Sequence, residues 1–130
     1  LNGLKMLPLI CYEIIFPELI QNPKNLIVNI SEDAWFGNTI GPNQHFAKAI
    51  LRAIEGNVYL VRSANKGFSA FIDNKGVIKK VLKPNEKGVI ELNVPIINNI
   101  KKNNKFDLIF FVLLFTCVLT FVVLKKNEKK

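Results

Sequence analysis

Apolar and polar positions alternate in blocks along the first hundred residues, and these blocks predict an ordered series of strands and helices. Leu7-Pro8-Leu9-Ile10 is a short apolar run that reads as a buried strand. Cys11-Tyr12-Glu13 follow it directly, and Phe16 to Ile20 reads as a helix start with Pro17 in its first turn. Leu26-Ile27-Val28-Asn29-Ile30 is a second buried strand, followed by a loop from Ser31 to Gly41. Pro42 to Glu55 places Phe46, Ile50 and Ala53 on one face of a helix, which Gly56 or Asn57 ends. Val58 to Val61 is a third strand. Residues 68–72 and 77–82 form a hairpin across Asp73-Asn74-Lys75-Gly76, and the alternation from Gly88 to Val94 predicts a further strand. Strands alternating with helices, then a hairpin, make an α/β class with a mixed sheet.

The pattern changes after residue 97. Residues 98–107 are polar and basic and read as a linker. Leu108 to Leu124 is an apolar run of seventeen residues without a charge. As a helix it extends about 25 Å at about 1.5 Å per residue. A hydrocarbon core is about 30 Å thick, and flanking lysines can snorkel across the difference. A transmembrane helix over 108–124 with a basic tail at 125–130 is therefore expected, in preference to a buried core helix. Residues 1–97 would form one catalytic portion, about large enough for a modest core. The missing initiator Met and this size together suggest part of a larger domain.

Charge supports that division. Of the formal +8, residues 1–100 hold 11 Lys and Arg against 8 acids, and residues 101–130 hold 7 Lys against 2 acids. The excess flanks the apolar run, as membrane-adjacent charge does, and no basic stripe marks the folded portion as a nucleic-acid binder. Two cysteines, Cys11 and Cys117, make no disulfide framework, so both thiols are expected to be free. No spacing of His, Cys, Asp or Glu suggests a metal, and no glycine loop suggests a phosphate or other cofactor.

Cys11 carries the candidate chemistry. A cysteine where a strand gives way to a helix meets backbone N–H groups that favour a thiolate and can hold an oxyanion. The bland alternative, a small buried core residue, stays open on position alone. The single histidine, His45, falls in the first turn of a predicted helix and is expected to serve a structural or hydrogen-bonding role.

The residues around Cys11 narrow the choice. Leu9-Ile10-Cys11-Tyr12-Glu13-Ile14-Ile15-Phe16-Pro17-Glu18 resembles the nucleophile segment of the nitrilase superfamily. Val28 to Gly37, Gly41-Pro42-Asn43-Gln44-His45, Arg52-Ala53-Ile54-Glu55 and Val61 to Gly67 resemble its apolipoprotein N-acyltransferase branch. The resemblance implies part of an αββα sandwich followed by one transmembrane helix, in the bacterial inner membrane with the catalytic part on the periplasmic side. It implies a phospholipid acyl donor, a thioester on Cys11, and a lipoprotein acceptor with a diacylglyceryl-modified N-terminal cysteine. It makes Tyr12 and Glu13 oxyanion or site support, with a structural salt bridge or helix-terminal charge the alternative for Glu13. Trp35 and Phe36, in a glycine-bounded loop, are expected to line the acyl site, meet the lipid interface or simply pack in the core, and Arg62 and Asn65 to give the site structural support. The Glu and Lys of the family's triad lie upstream of the matched segment, so this chain is expected to be inactive alone and to need a separate N-terminal portion. Two other readings remain: a catalytically dead membrane-tethered remnant, and a membrane-tethered amidase.

Overall fold

The computed structural model describes residues 3–21, 24–96 and 105–127. These form two compact units, divided between Ile100 and Lys101.

The first unit is built on one five-stranded sheet. Its strands are β1 (Met6–Ile10), β2 (Leu26–Glu32), β3 (Tyr59–Asn65), β4 (Ser69–Ile72) and β5 (Ile78–Leu82), lying in the order β1-β2-β3-β4-β5. The first three run parallel and the last two are antiparallel. The parallel strands need crossovers. Between β1 and β2 the crossover consists of two short 3-10 helices, Cys11–Ile15 and Pro17–Gln21. Between β2 and β3 it holds a 3-10 turn, Ala34–Phe36, and the helix α1 (Gly41–Gly56). Pro42 starts α1 where its missing N–H costs nothing, and Asn57, at φ +49°, ends it in a left-handed cap.

Register sets what the site contains. Leu9, Asn29 and Arg62 stand side by side across β1, β2 and β3. Successive side chains of a strand point to opposite faces. In β2, Ile27, Asn29 and Ser31 are therefore buried while Ile30 is exposed. The buried apolar core contains Leu9, Ile14, Ile20, Ile27, Phe46, Ala49, Ala53, Val58, Leu60, Ala70 and Ile72. Phe46 stacks on Phe68 at 4.7 Å. The other face of the same strands leaves Met6, Ile10 and Ile30 largely exposed.

The chain departs from the predicted elements in two places. The helix expected from Phe16 is a single 3-10 helix, Pro17–Gln21. Residues 88–94, expected to form a strand, have no regular structure. A turn at Pro84-Asn85, with Asn85 at φ +70°, interrupts any continuation from β5, and alternation alone supplies no pairing partner.

The second unit is the helix α2 (Lys105–Asn127). Its side chains from Leu108 to Phe121 are exposed on every side. Thr116 and Thr120 bond their hydroxyls to the carbonyls of Leu113 and Cys117, so the helix satisfies its own polar groups. Among the described residues, however, no helix is long and apolar enough to cross a membrane. The uncharged run stops at about 25 Å, short of a hydrocarbon core of about 30 Å. The expected transmembrane assignment is thus not confirmed. Of the linker expected at 98–107, residues 98–104 lie outside the described residues and 105–107 already belong to α2; of the tail expected at 125–130, residues 125–127 continue α2 and 128–130 lie outside.

Candidate active site

Cys11 is the first residue beyond β1 and opens a 3-10 helix with its backbone at φ +47°. A residue with a Cβ is sterically penalised there, so neighbouring contacts must hold it. The sulfur is half-buried. It lies 3.7 Å from Ser31 Oγ and 4.0 Å from the carbonyl oxygen of Glu32, both at the end of β2. The hydroxyl of Ser31 has one proton, and it donates to Asp33 Oδ1 at the shorter distance of 2.7 Å.

Beneath the cysteine is a buried polar network. Arg62 donates from Nη2 to both carboxylate oxygens of Asp33, at 2.9 and 2.8 Å, and from Nη1 to Asn29 Oδ1. Asn29 donates to the carbonyl of Leu9 at 3.0 Å and approaches that of Cys11 at 3.5 Å. His45 sits with Nδ1 2.9 Å from Asp33 Oδ1 and 3.1 Å from Arg62 Nη2, and with Nε2 3.2 Å from the Cys11 carbonyl. Burial by itself raises the pKa of Asp33. The bonds with His45 and Ser31 and the charge and bond of Arg62 outweigh it and hold the group at about 2. The backbone N–H of Asp33 donates to the carbonyl of Asn65 at 2.9 Å. Gly67 lies so close that a Cβ there would fall 2.0 Å from Asp33 Oδ2.

The other expected residues occupy distinct places around this network. Tyr12 is exposed, its ring 6.4 Å from Phe16 and 6.0 Å from His45. It stands in a first helical turn, where backbone N–H groups have no intrahelical acceptor. Glu13 accepts the N–H of Ile10 at 2.8 Å, closing the turn that carries Cys11. Trp35 and Phe36 part company: Phe36 packs 5.5 Å from the His45 ring, while Trp35 is 87% exposed. Gly41 makes room for the Phe36 ring, which a Cβ would meet at 2.4 Å. Asn65 donates to Glu32 Oε2 at 2.7 Å at the sheet's edge of the site, while Arg62 lies buried. Asn29 and Asp33 were not among the expected site residues. Their signal was a polar residue at an inward strand position and an acid directly following another, Glu32.

A cleft of about 340 Å³ lies next to the network, lined by Asp33, Pro42, Asn43, Lys66 and Asn85 among others, and does not include Cys11. No group of three or more possible metal ligands occurs among the described residues.

The family model described as carbon-nitrogen hydrolase matches residues 1–97. This chain belongs to the carbon-nitrogen hydrolase family. Over 91 residues it is 50% identical to an apolipoprotein N-acyltransferase of Allorhizobium ampelinum, covering 68% of this chain and 17% of that protein. It is 44% identical over 97 residues to that of Rhizobium meliloti, covering 72% and 18%. The chain thus spans under a fifth of the length of these relatives. Among solved structures, a carbon-nitrogen hydrolase superfamily protein of Xanthomonas campestris with an arsenic adduct in its active site matches with a TM-score of 0.54 at 18% identity. The match covers 66% of this chain and 38% of that one. A mutant amidase of the nitrilase superfamily from Nesterenkonia AN1 matches with a TM-score of 0.53 at 18% identity, covering 65% and 36%. At such identity these two show the carbon-nitrogen hydrolase fold alone.

Proposed function

We propose that this segment carries the nucleophile of an apolipoprotein N-acyltransferase. The observation that carries the reading is the left-handed Cys11 backbone just past the carboxyl end of β1, within a segment half identical to a curated enzyme of that name. The Cys11 thiolate attacks an acyl ester of a phospholipid. A carbon–sulfur bond forms and the ester carbon–oxygen bond breaks. The lysophospholipid leaves as an alcohol after taking up a proton. The N-terminal amine of a diacylglyceryl-cysteine lipoprotein then attacks the thioester, forming the amide and returning the thiol. Splitting the transfer in this way replaces one hard step with two easier ones.

Within this scheme the Tyr12 N–H faces the oxyanion and Glu13 orients the incoming groups. Trp35, the most exposed aromatic of the site loop, meets the acyl chain or the lipid surface, and Phe36 lines the inner side of the site against His45. Arg62 and Asn65 hold the loops that carry these residues. The family's general base and its lysine come from the portion upstream of this match. The same portion supplies the second sheet of an αββα sandwich, against the exposed face bearing Met6, Ile10 and Ile30. We propose further that α2 anchors the unit in the bacterial inner membrane, with the catalytic part on the periplasmic side. Its apolar surface on all sides and its self-bonded threonines support this.

The test is transfer from phosphatidylethanolamine to a diacylglyceryl lipopeptide by the complete polypeptide that contains this segment. Cys11→Ala is expected to abolish transfer and Cys117→Ala to leave it unchanged. Residues 1–130 alone are expected to show no turnover. Full activity of the Cys11→Ala protein overturns the assignment, and ammonia release from simple amides without acyl transfer indicates an amidase instead.

A further inference from the structure

We propose that His45 is a positioning residue that fixes the left-handed backbone of Cys11 by donating from Nε2 to the Cys11 carbonyl. The inference deepens the acyltransferase reading and depends on it only for its kinetic consequence.

A non-glycine residue at φ +47° returns to ordinary backbone space unless something holds it. The Cys11 carbonyl is the atom being held. A carbonyl only accepts, so a bond across this 3.2 Å has the proton on His45 Nε2, and a simultaneous bond from Nδ1 to Asp33 Oδ1 then requires a proton on both ring nitrogens. Asn29 Nδ2 offers a second, longer contact to the same oxygen at 3.5 Å. Neither donor is free to drift. His45 is 3% exposed and lies between the Phe36 and Tyr12 rings, with its other nitrogen against Asp33. Asn29 is fully buried and accepts from Arg62 Nη1, while Arg62 Nη2 grips Asp33. Two arms of one buried network, Arg62–Asp33–His45 and Arg62–Asn29, therefore converge on a single backbone oxygen. That oxygen belongs to the residue whose sulfur must project beside Ser31. The network does not touch the sulfur through His45, so His45 is not a base for the thiol. It determines where the thiol is.

Two substitutions separate this role from simple partnership with Asp33. A glutamine amide reaches where Nε2 lies, and an asparagine amide reaches only where Nδ1 lies. His45→Gln therefore retains the bond to Cys11, and His45→Asn retains the contact with Asp33. In chains carrying isotope-labelled cysteine, the Cys11 backbone coupling and α- and β-carbon shifts report its φ. The amide signals of Leu60 and Ile72 report that the sheet is folded. The left-handed signature is expected to persist in His45→Gln and to be lost in His45→Asn. In the complete polypeptide, the rate of thioester formation is expected to fall about ten- to a hundred-fold in His45→Asn with little change in KM, and to recover in His45→Gln. The reverse ranking, or equal behaviour of the two folded variants, overturns the proposal. A measurement on the unmutated chain needs no variant to fold: its nitrogen spectrum must show Nε2 of His45 as a protonated, exchange-protected nitrogen. An unprotonated Nε2 also overturns the proposal. Absence of any thioester in the wild type would refute the acyltransferase reading while leaving the ranking of the backbone signatures to decide the role of His45.

Discussion

The two faces of the sheet come from the same strands and have opposite fates. One face is closed by α1 and the 3-10 helices over Leu9, Ile27 and Leu60, and at its carboxyl end it encloses Asn29, Asp33 and Arg62. The other leaves Met6, Ile10 and Ile30 more than half exposed. A period of two in β1 and β2 supplies apolar residues to both faces, and only one of the two is covered among the described residues. The difference teaches that the buried polar network finds its partners within this chain, except at Arg62 Nε, which is buried with none, whereas the apolar face has no covering layer among the described residues. Substitutions on the closed face should therefore act within this chain, and those on the open face only when the remainder is present.

The largest effect is expected from Arg62→Ala. It leaves the buried Asp33 carboxylate and the Asn29 amide oxygen without their cationic partner, and breaking such a buried pair costs about 3–5 kcal/mol. Denaturant unfolding of the chain reads the loss, and a change below about 1 kcal/mol would contradict the closed-network account. Gly67→Ala is next. Its Cβ would meet Asp33 Oδ2 at 2.0 Å, and overpacking of this kind costs about 1–3 kcal/mol. Retained stability there would show that Asp33 is free to move.

Acid should weaken the closed face by a comparable amount. Asp33 ionises at about 2 in the folded chain against an ordinary value of 3.8, so its folded pKa is depressed. Its contribution is fully present above pH 3.8, declines as the pH falls and is lost below about 2. The difference between the two values is worth about 2 kcal/mol. Unfolding measured from pH 5 to pH 2 in wild type and Asp33→Asn checks this, since the asparagine variant should lack that portion of the pH dependence. The smallest effect belongs to the open face. Ile30→Ser should change the stability of this chain by less than about 0.5 kcal/mol. It should nevertheless weaken association with a separately produced upstream portion in a binding assay. A large loss of stability in the chain alone would mean that this face is already covered.

Much of this arrangement is legible in the sequence. Leu9, Ile27 and Leu60 lie in short apolar runs that form β1 to β3, and the spacing of Phe46, Ile50 and Ala53 marks the buried side of α1. The turn at Cys11 follows from a strand ending one residue before it. Its left-handed backbone does not, because nothing local demands it: it is held by His45 and Asn29, thirty-four and eighteen residues away. Asn29 was hidden in the same way. In Leu26-Ile27-Val28-Asn29-Ile30 it reads as one polar residue in a strand, and only register against Arg62 shows why a polar group is tolerated inside. The alternation at 88–94 shows the reverse, a local strand pattern with no neighbour to pair with. The apolar run from 108 to 124 lies within the helix Lys105–Asn127, but the run itself ends at charges just short of the length of a bilayer's core.

The central claim is that the Cys11 sulfur accepts an acyl chain. Intact-protein mass spectrometry after brief incubation of the complete polypeptide with phosphatidylethanolamine measures this most directly. The predicted result is a mass increase of one fatty acyl group, mapped to the peptide containing Cys11 and removed by hydroxylamine. An adduct absent from Cys11, or present on Cys117 instead, in a preparation that still transfers acyl chains would contradict it.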